Sequence, residues 1–297
     1  MVSNHQSNQH YPVLLREVLK YLAPEKGDKL LDATAGYGGH AEAILNITGQ
    51  TEGSVLIDRD QNAISQLQKI FPKKSPEIIK GDFSKTSQEL LDKGRRFDLI
   101  LADLGVSSPH LDNANRGFSF QYEGPLDMRM DESVPLTADD IVNTYNKQDL
   151  SKIIRDYGED PKSKRIAHAI VNSRPVQKTT DLALIVERVY RGRINHKTHP
   201  ATRTFQALRI AVNDELAQIK TALPVWIQLL NPRGRLAVIS FQSLEDRIVK
   251  QIFLEYGANQ YDASLNLLTK KPITGSQDEL VFNPRARSAK LRVAVKK

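Results

Sequence analysis

The stretch Leu30-Leu31-Asp32-Ala33-Thr34-Ala35-Gly36-Tyr37-Gly38-Gly39-His40-Ala41 constrains the fold more than any other. A short apolar run ends in a carboxylate, passes into a glycine-rich turn and then enters a helix. The run reads as a buried parallel strand, and glycine lets the backbone turn tightly and approach a ligand with no Cβ in the way. Ala41-Glu42-Ala43-Ile44-Leu45 opens a helix whose first N–H groups face that ligand. Gly36-x-Gly38-x-x-Ala41 fits the dinucleotide fingerprint in its G/A form, so a nicotinamide-binding Rossmann domain is one reading. A tight turn beside solvated carboxylates is the plainer one.

Charge separates these readings. Asp32 stands four residues before Gly36, at the carboxyl end of the strand, where it would repel a pyrophosphate. S-adenosylmethionine carries no phosphate and has a cationic ammonium and sulfonium, so the position favours it. Asp58 closes the next apolar run, Ser54-Val55-Leu56-Ile57-Asp58, about 20 residues after the glycines, where a ribose-binding carboxylate belongs.

The third strand reads as Glu77 to Phe83, which puts Phe83 at its carboxyl end, bordering an adenine or packed in the core. Phe97 to Asp103 is a fourth strand that again ends in a carboxylate and runs into Leu104-Gly105-Val106-Ser107-Ser108-Pro109-His110. The alternating βα pattern then stops for about 95 residues. It resumes with one long helix over Thr202 to Leu223, a strand over Gly234 to Phe241, a helix over Leu244 to Tyr256, and strands over Leu265 to Ile273 and Ala289 to Val295. Before the first strand, the apolar spacing of His10 to Leu19 predicts a packing helix. The interruption carries its own helix punctuation, at Thr137, Asp160-Pro161 and Thr180-Asp181, and predicts a small inserted helical domain.

With 297 residues the chain buries a substantial core. Zero cysteines exclude disulfides, thiolate metal sites and any cysteine nucleophile. No apolar run approaches the ~18 residues of a membrane helix, and the polar start lacks the apolar region of a signal peptide, so a cytoplasmic protein is expected. The net charge of +7 is unevenly spread. Ser151 to Arg209 holds 13 Lys/Arg against 5 Asp/Glu, and Lys270 to Lys297 holds 8 against 2, which suits a polyanionic partner such as nucleic acid.

A set of motifs then carries a resemblance. Asp32-x-Thr34-x-Gly36-x-Gly38-Gly39-His40, Asp103-Leu104-Gly105-Val106-Ser107-Ser108-Pro109, Arg116-Gly117-Phe118-Ser119-Phe120 and Gly124-Pro125-Leu126-Asp127-Met128-Arg129-Met130-Asp131 come first. His199 to Ile210, Ser243-Leu244-Glu245-Asp246-Arg247 and Asn283-Pro284-x-Ala286-Arg287-Ser288 follow in order. Together they resemble the bacterial MraW/RsmH-type 16S rRNA cytosine-N4-methyltransferases across nearly the whole chain. The resemblance implies an α/β, class I S-adenosylmethionine-dependent methyltransferase (Rossmann-like) sheet with an inserted small helical domain. It divides the chain into a discontinuous methyltransferase domain, 1–105 and 200–297, and an inserted substrate-recognition domain, 106–199. It implies S-adenosylmethionine as donor and, as acceptor, a cytidine in the decoding region of 16S rRNA within the small subunit. Cofactor contacts of that family map onto Gly38, Gly39, His40, Asp58, Phe83, Asp103 and His110, to which the reading of the glycine turn adds Asp32 and Gly36. His110 stands where the family usually has Gln, and Gln242 where it commonly has His.

Methylating an exocyclic amine needs alignment and a hydrogen-bond acceptor, and no metal. Asp103 is the first candidate for that acceptor, with a purely cofactor-binding role open beside it. Ser107, Ser108, Phe118, Arg129, Arg203, Arg209 and Arg287 are candidate substrate contacts, and Tyr37, Phe120 and Tyr122 join Phe118 as candidates to stack on an extruded base. A DNA amine methyltransferase shares the reaction, but its usual Pro-Pro-aromatic motif is absent after Asp103. An assembly factor that binds rRNA without turnover is the non-enzyme alternative.

Overall fold

The computed structural model describes residues 11–49, 51–72, 75–105, 112–190, 199–257 and 263–297. Two compact units emerge, one from 1–105 with 216–297 and one from 106–215. The boundary near 216 differs from the expected 200 because the helix Ala201–Asn213 packs with the helices of the second unit.

In the first unit, seven strands form one sheet: β1 (Leu30–Asp32), β2 (Val55–Asp58), β3 (Glu77–Lys80), β4 (Phe97–Asp103), β5 (Leu230–Ser240), β6 (Leu265–Leu267) and β7 (Lys290–Lys296). Their order is β3-β2-β1-β4-β5-β7-β6. The first five run parallel, whereas β7 is antiparallel to both β5 and β6. The central strands are apolar on both faces, as a covered parallel sheet requires. At one edge β3 exposes Glu77 and Lys80, and at the other β6 is only three residues long, which discourages pairing with another chain.

Successive side chains of a strand point to opposite faces, and each face is covered. Leu31, Val55, Ile57, Ile100, Leu236 and Val238 meet the helices α4 (Phe83–Asp92), α10 (Glu215–Leu229) and α11 (Ser243–Gly257). Leu30, Leu56, Leu99, Leu101, Ala237 and Ile239 meet α1 (Leu15–Leu22), α2 (Gly39–Thr48) and α3 (Gln61–Ile70). Trp226 of α10 is fully buried, and its indole N–H donates to Ser87 Oγ of α4 at 2.8 Å. Among the described residues no helix is long and apolar enough to cross a membrane.

The second unit is helical: α5 (Ala138–Thr144), α6 (Lys147–Gly158), α7 (Ser163–Asn172), α8 (Thr179–Tyr190) and α9 (Ala201–Asn213) surround their own apolar core. Thr137 and Asp140 form the expected capping box at the start of α5. Gly158 ends α6 and lies against α9, where a Cβ would come within 2.6 Å of the Arg203 carbonyl oxygen.

Several element boundaries differ from the sequence expectation. The single helix over Thr202 to Leu223 is two helices, because Asp214 takes a left-handed φ of 49° between α9 and α10. Aspartate tolerates that conformation, and the apolar periodicity runs through the break without a glycine or proline to mark it. The third strand stops at Lys80, since Asp82 caps α4 by accepting from the N–H groups of Ser84 and Lys85. The expected strand to Ile273 ends at Leu267, and Ile273 makes an isolated bridge to Leu291. The first helix starts at Leu15, and the fifth strand begins four residues before Gly234.

Because Trp226 fills the space between α4 and the sheet, Trp226→Ala is expected to lower stability by about 3–5 kcal/mol. Urea unfolding followed by circular dichroism measures this, and a loss below ~1 kcal/mol would show that the site collapses around the smaller side chain.

Candidate active site

β1, β2 and β4 each end in an aspartate, and parallel pairing lines Asp32, Asp58 and Asp103 along one edge of the sheet. Strand order reverses between β1 and β4, the switch point where an open α/β sheet leaves a crevice for ligands. The glycine turn sits at this point. Asp58 anchors it, accepting from the Gly36 N–H through Oδ2 and from the Asp60 N–H through Oδ1, both at 2.8 Å. Gly36 and Gly38 take left-handed φ values of 53° and 86°, which favour glycine. Gly39 serves packing: a Cβ there would lie 2.6 Å from Pro12 Cγ.

His40, the second residue of α2, is buried, and its Nε2 lies 2.9 Å from the Val13 carbonyl oxygen. That bond puts a proton on Nε2 and turns Nδ1 toward Asp103 Oδ2, 3.8 Å away. Thr34 links the ends of β1 and β4: its N–H donates to Asp32 Oδ1 at 3.1 Å, and its Oγ1 accepts the Asp103 backbone N–H at 2.6 Å. Among the described residues, Asp103 Oδ1 is buried without a hydrogen-bond partner.

Burial, reinforced by the charge of Asp58, pushes Asp32 up to about 7, against the lowering effect of the Thr34 N–H. Burial also raises Asp103 well above the usual carboxylate range, and the charges of Asp32 and Glu245 add to it. Glu245 was not among the sequence candidates. Its Oε2 accepts from the backbone N–H groups of Phe241 and Gln242, and its Oε1 from Gln242 Nε2. An acidic residue in the first turn of a helix directly after a strand was the signal for it.

Desolvated carboxylates set side by side, one oxygen of them without a bond, form a site for a cation or N–H donor and repel phosphate. The residues therefore fit an ammonium- and sulfonium-bearing cofactor, with Asp32, Gly36, Gly38, Gly39, His40, Asp58 and Asp103 gathered at the turn and the strand ends. Phe83, the first residue of α4, is buried in the core with its ring centroid 5.5 Å from that of Trp226, and the Arg59 guanidinium lies 5.6 Å from the Phe83 ring. Ser107, Ser108 and His110 lie outside the described residues.

The candidate substrate contacts of the second unit have partners within that unit. Arg129 donates to both oxygens of Asp127 at 2.8–2.9 Å and to the carbonyls of Glu132 and Val134. Arg209 makes a two-pronged pair with Glu215 at 2.8 and 2.9 Å. Arg203 donates to the Glu159 carbonyl at 3.1 Å. Phe118 is buried, Phe120 packs between His199 and Phe205 at 4.7 and 4.8 Å, and Tyr122 is exposed. In the first unit Tyr37 is half-buried in the glycine turn, and Arg287 is exposed.

A family model described as the MraW methylase family matches residues 7–297. The chain is 44% identical to a ribosomal RNA small subunit methyltransferase H from Acidobacterium capsulatum, covering 98% of this chain and 100% of that protein. It is 47% identical to the protein of the same name from Synechococcus elongatus, covering 98% and 96%. Among solved structures, an rRNA methylase from Streptococcus thermophilus aligns with a TM-score of 0.41 at 10% identity, covering 95% of this chain and 93% of that one.

The raised Asp32 makes the cost of this site measurable. In the folded protein Asp32 keeps its proton up to about pH 7, while in the unfolded chain it is lost near the ordinary value of 3.8. Stability of the free protein therefore falls as pH rises from about 4 through 7. Asp32→Asn, which keeps the acceptor for Thr34, is expected to flatten that fall and to raise the melting temperature above wild type at pH 8. The same change is expected to weaken S-adenosylmethionine binding about 10- to 100-fold, the loss of one charge-assisted contact. Calorimetry reads both, and a variant with unchanged cofactor affinity would remove Asp32 from the site.

Proposed function

Because the chain belongs to the MraW methylase family, we propose that it methylates the N4 amine of a cytidine in the decoding region of 16S rRNA, within the small ribosomal subunit. The observation that carries the reading is the carboxylate cluster at the switch point, with Asp103 Oδ1 lacking a bond among the described residues. Relatives named as small-subunit rRNA methyltransferases, similar over nearly their full length, support the acceptor class. With ribosomal RNA as substrate, the protein works in the cytoplasm, and the basic helical unit receives the RNA.

S-adenosylmethionine supplies a methyl group already activated by its sulfonium. A cytosine amine is a weak nucleophile because its lone pair is delocalised into the ring, so alignment and charge stabilisation are what the chain must provide. Asp103 accepts a hydrogen bond from the amine through Oδ1 and takes the proton that the methylated nitrogen releases. Its raised proton affinity suits that step. His40, held by the Val13 carbonyl, borders the other carboxylate oxygen, with Nδ1 3.8 Å from it. Asp58 keeps the glycine turn in shape, and Asp32 provides negative charge beside it.

The test is to incubate the protein with radiolabelled S-adenosylmethionine and unmethylated small subunits, then identify the labelled nucleoside by mass spectrometry. Label on cytidine N4 is expected, and label on another atom or none on RNA would overturn the acceptor. Asp103→Asn is expected to lower kcat about 10²- to 10⁴-fold, the range for loss of a general base, with RNA affinity unchanged. A rise confined to the KM for S-adenosylmethionine would assign Asp103 to the cofactor alone.

A further inference from the structure

One exposed surface of the first unit lies beside the segment that closes over the glycine turn. The short helix α12 (Gln277–Phe282) turns Glu279 inward, where Oε1 accepts the Leu14 N–H at 2.7 Å. Asn283 Nδ2 donates to the Tyr11 carbonyl at 3.3 Å. These bonds tie α12 to residues 11–14, of which Pro12 packs on Gly39 and Val13 on His40. Away from that contact α12 exposes Val281 at 84% and Phe282 at 60%, with Tyr11 beside Phe282 at 43% and Gln277 and Asp278 exposed in the first turn. The Tyr11 and Phe282 rings meet edge to face, 5.3 Å between centroids at 87°. The following turn, Pro284–Ser288, buries Ala286 and exposes Arg285 and Arg287.

Eight large apolar side chains are exposed among the described residues, and three of them gather here. Such clustering marks a docking surface where scattered exposure does not. Resting on the methyltransferase reading above, we propose that this surface binds a single-stranded stretch of the substrate RNA next to the target nucleotide. A base stacks on the Phe282–Tyr11 pair, and Arg285 and Arg287 meet the adjoining phosphates. Rings next to exposed cations are how unstructured RNA is held, since every base has a stacking face and every link a negative charge. Charge agrees: the segment Lys270 to Lys297 has 8 Lys/Arg against 2 Asp/Glu, and Glu279, one of those two, faces inward. A second copy of the chain fits less well. A two-fold contact sets the patch against itself with its arginines facing like charge, and three apolar side chains fall far short of the ~800 Å² per partner of a stable interface.

The test measures binding of a fluorescently labelled single-stranded RNA to the full-length protein by anisotropy, over a range of KCl concentrations. Phe282→Ala is expected to weaken binding about tenfold, the loss of one base–aromatic stack, whereas Phe282→Trp retains it. Arg285→Gln with Arg287→Gln is expected to reduce the slope of log affinity against log salt by about 1.4, two phosphate contacts on a single strand. Affinity for S-adenosylmethionine stays within twofold in all of them, which shows that the fold is kept. The proposal is overturned if Phe282→Ala binds RNA as tightly as wild type. It is also overturned if sedimentation shows wild type to be a dimer that Phe282→Ala dissociates, which would make the face an interface between copies. Because methyl transfer is not the readout, a failure here leaves the methyltransferase reading standing. RNA binding with no cytidine label would sink that reading alone.

Discussion

The structure depends on the desolvation of carboxylates at the ends of three parallel strands. Strands buried on both faces end abruptly at Asp32, Asp58 and Asp103, so their carboxyl groups sit at the rim of a dry core. Two solutions to that burden are visible. Asp58 gives both oxygens to backbone N–H groups and becomes the clamp of the glycine turn. Asp32 and Asp103 are less fully satisfied, and their proton affinity rises instead. A fold that tolerates such groups gives up stability of the free protein at neutral pH.

Much of this was legible in the sequence because it rests on local patterns. Apolar runs with a terminal aspartate gave β1, β2 and β4 within a residue or two, and the glycine spacing gave the turn between β1 and α2. The break at Asp214 was not legible, because it depends on one left-handed residue inside an unbroken apolar periodicity. Neither was the closure of Pro12 over Gly39 or the inward Glu279, which join residues more than 20 positions apart and leave no periodic trace. Glu245 escaped notice for a related reason. Its hydrogen bonds are local, but its effect on Asp103 arises only when β4 and β5 lie side by side.

The motifs of the second unit also shape its backbone. Arg116 donates to the carbonyls of Arg129 and Met130, and Asn213 donates to the Met128 carbonyl while accepting the Met130 N–H. Gly117 and Gly124 allow backbone approaches that a Cβ would block, 2.2 Å from the Pro125 oxygen and 2.0 Å from the Ala114 oxygen. The runs around Arg116 and Asp127 therefore hold each other in shape, and Arg129 and Arg209 each form an ion pair, with Asp127 and Glu215. Sequence alone offers no way to tell a guanidinium aimed at phosphate from one aimed at a carboxylate two residues away.

The central claim is that carboxylates of raised proton affinity at the switch point, Asp32 and Asp103, bind a cation. Calorimetric titration with S-adenosylmethionine near pH 6.5, repeated in buffers of different ionisation enthalpy, counts the protons exchanged on binding. Net proton release is predicted, because a cation arriving beside Asp32 and Asp103 lowers their proton affinity. Binding with no proton exchange, or with net uptake, would contradict the account.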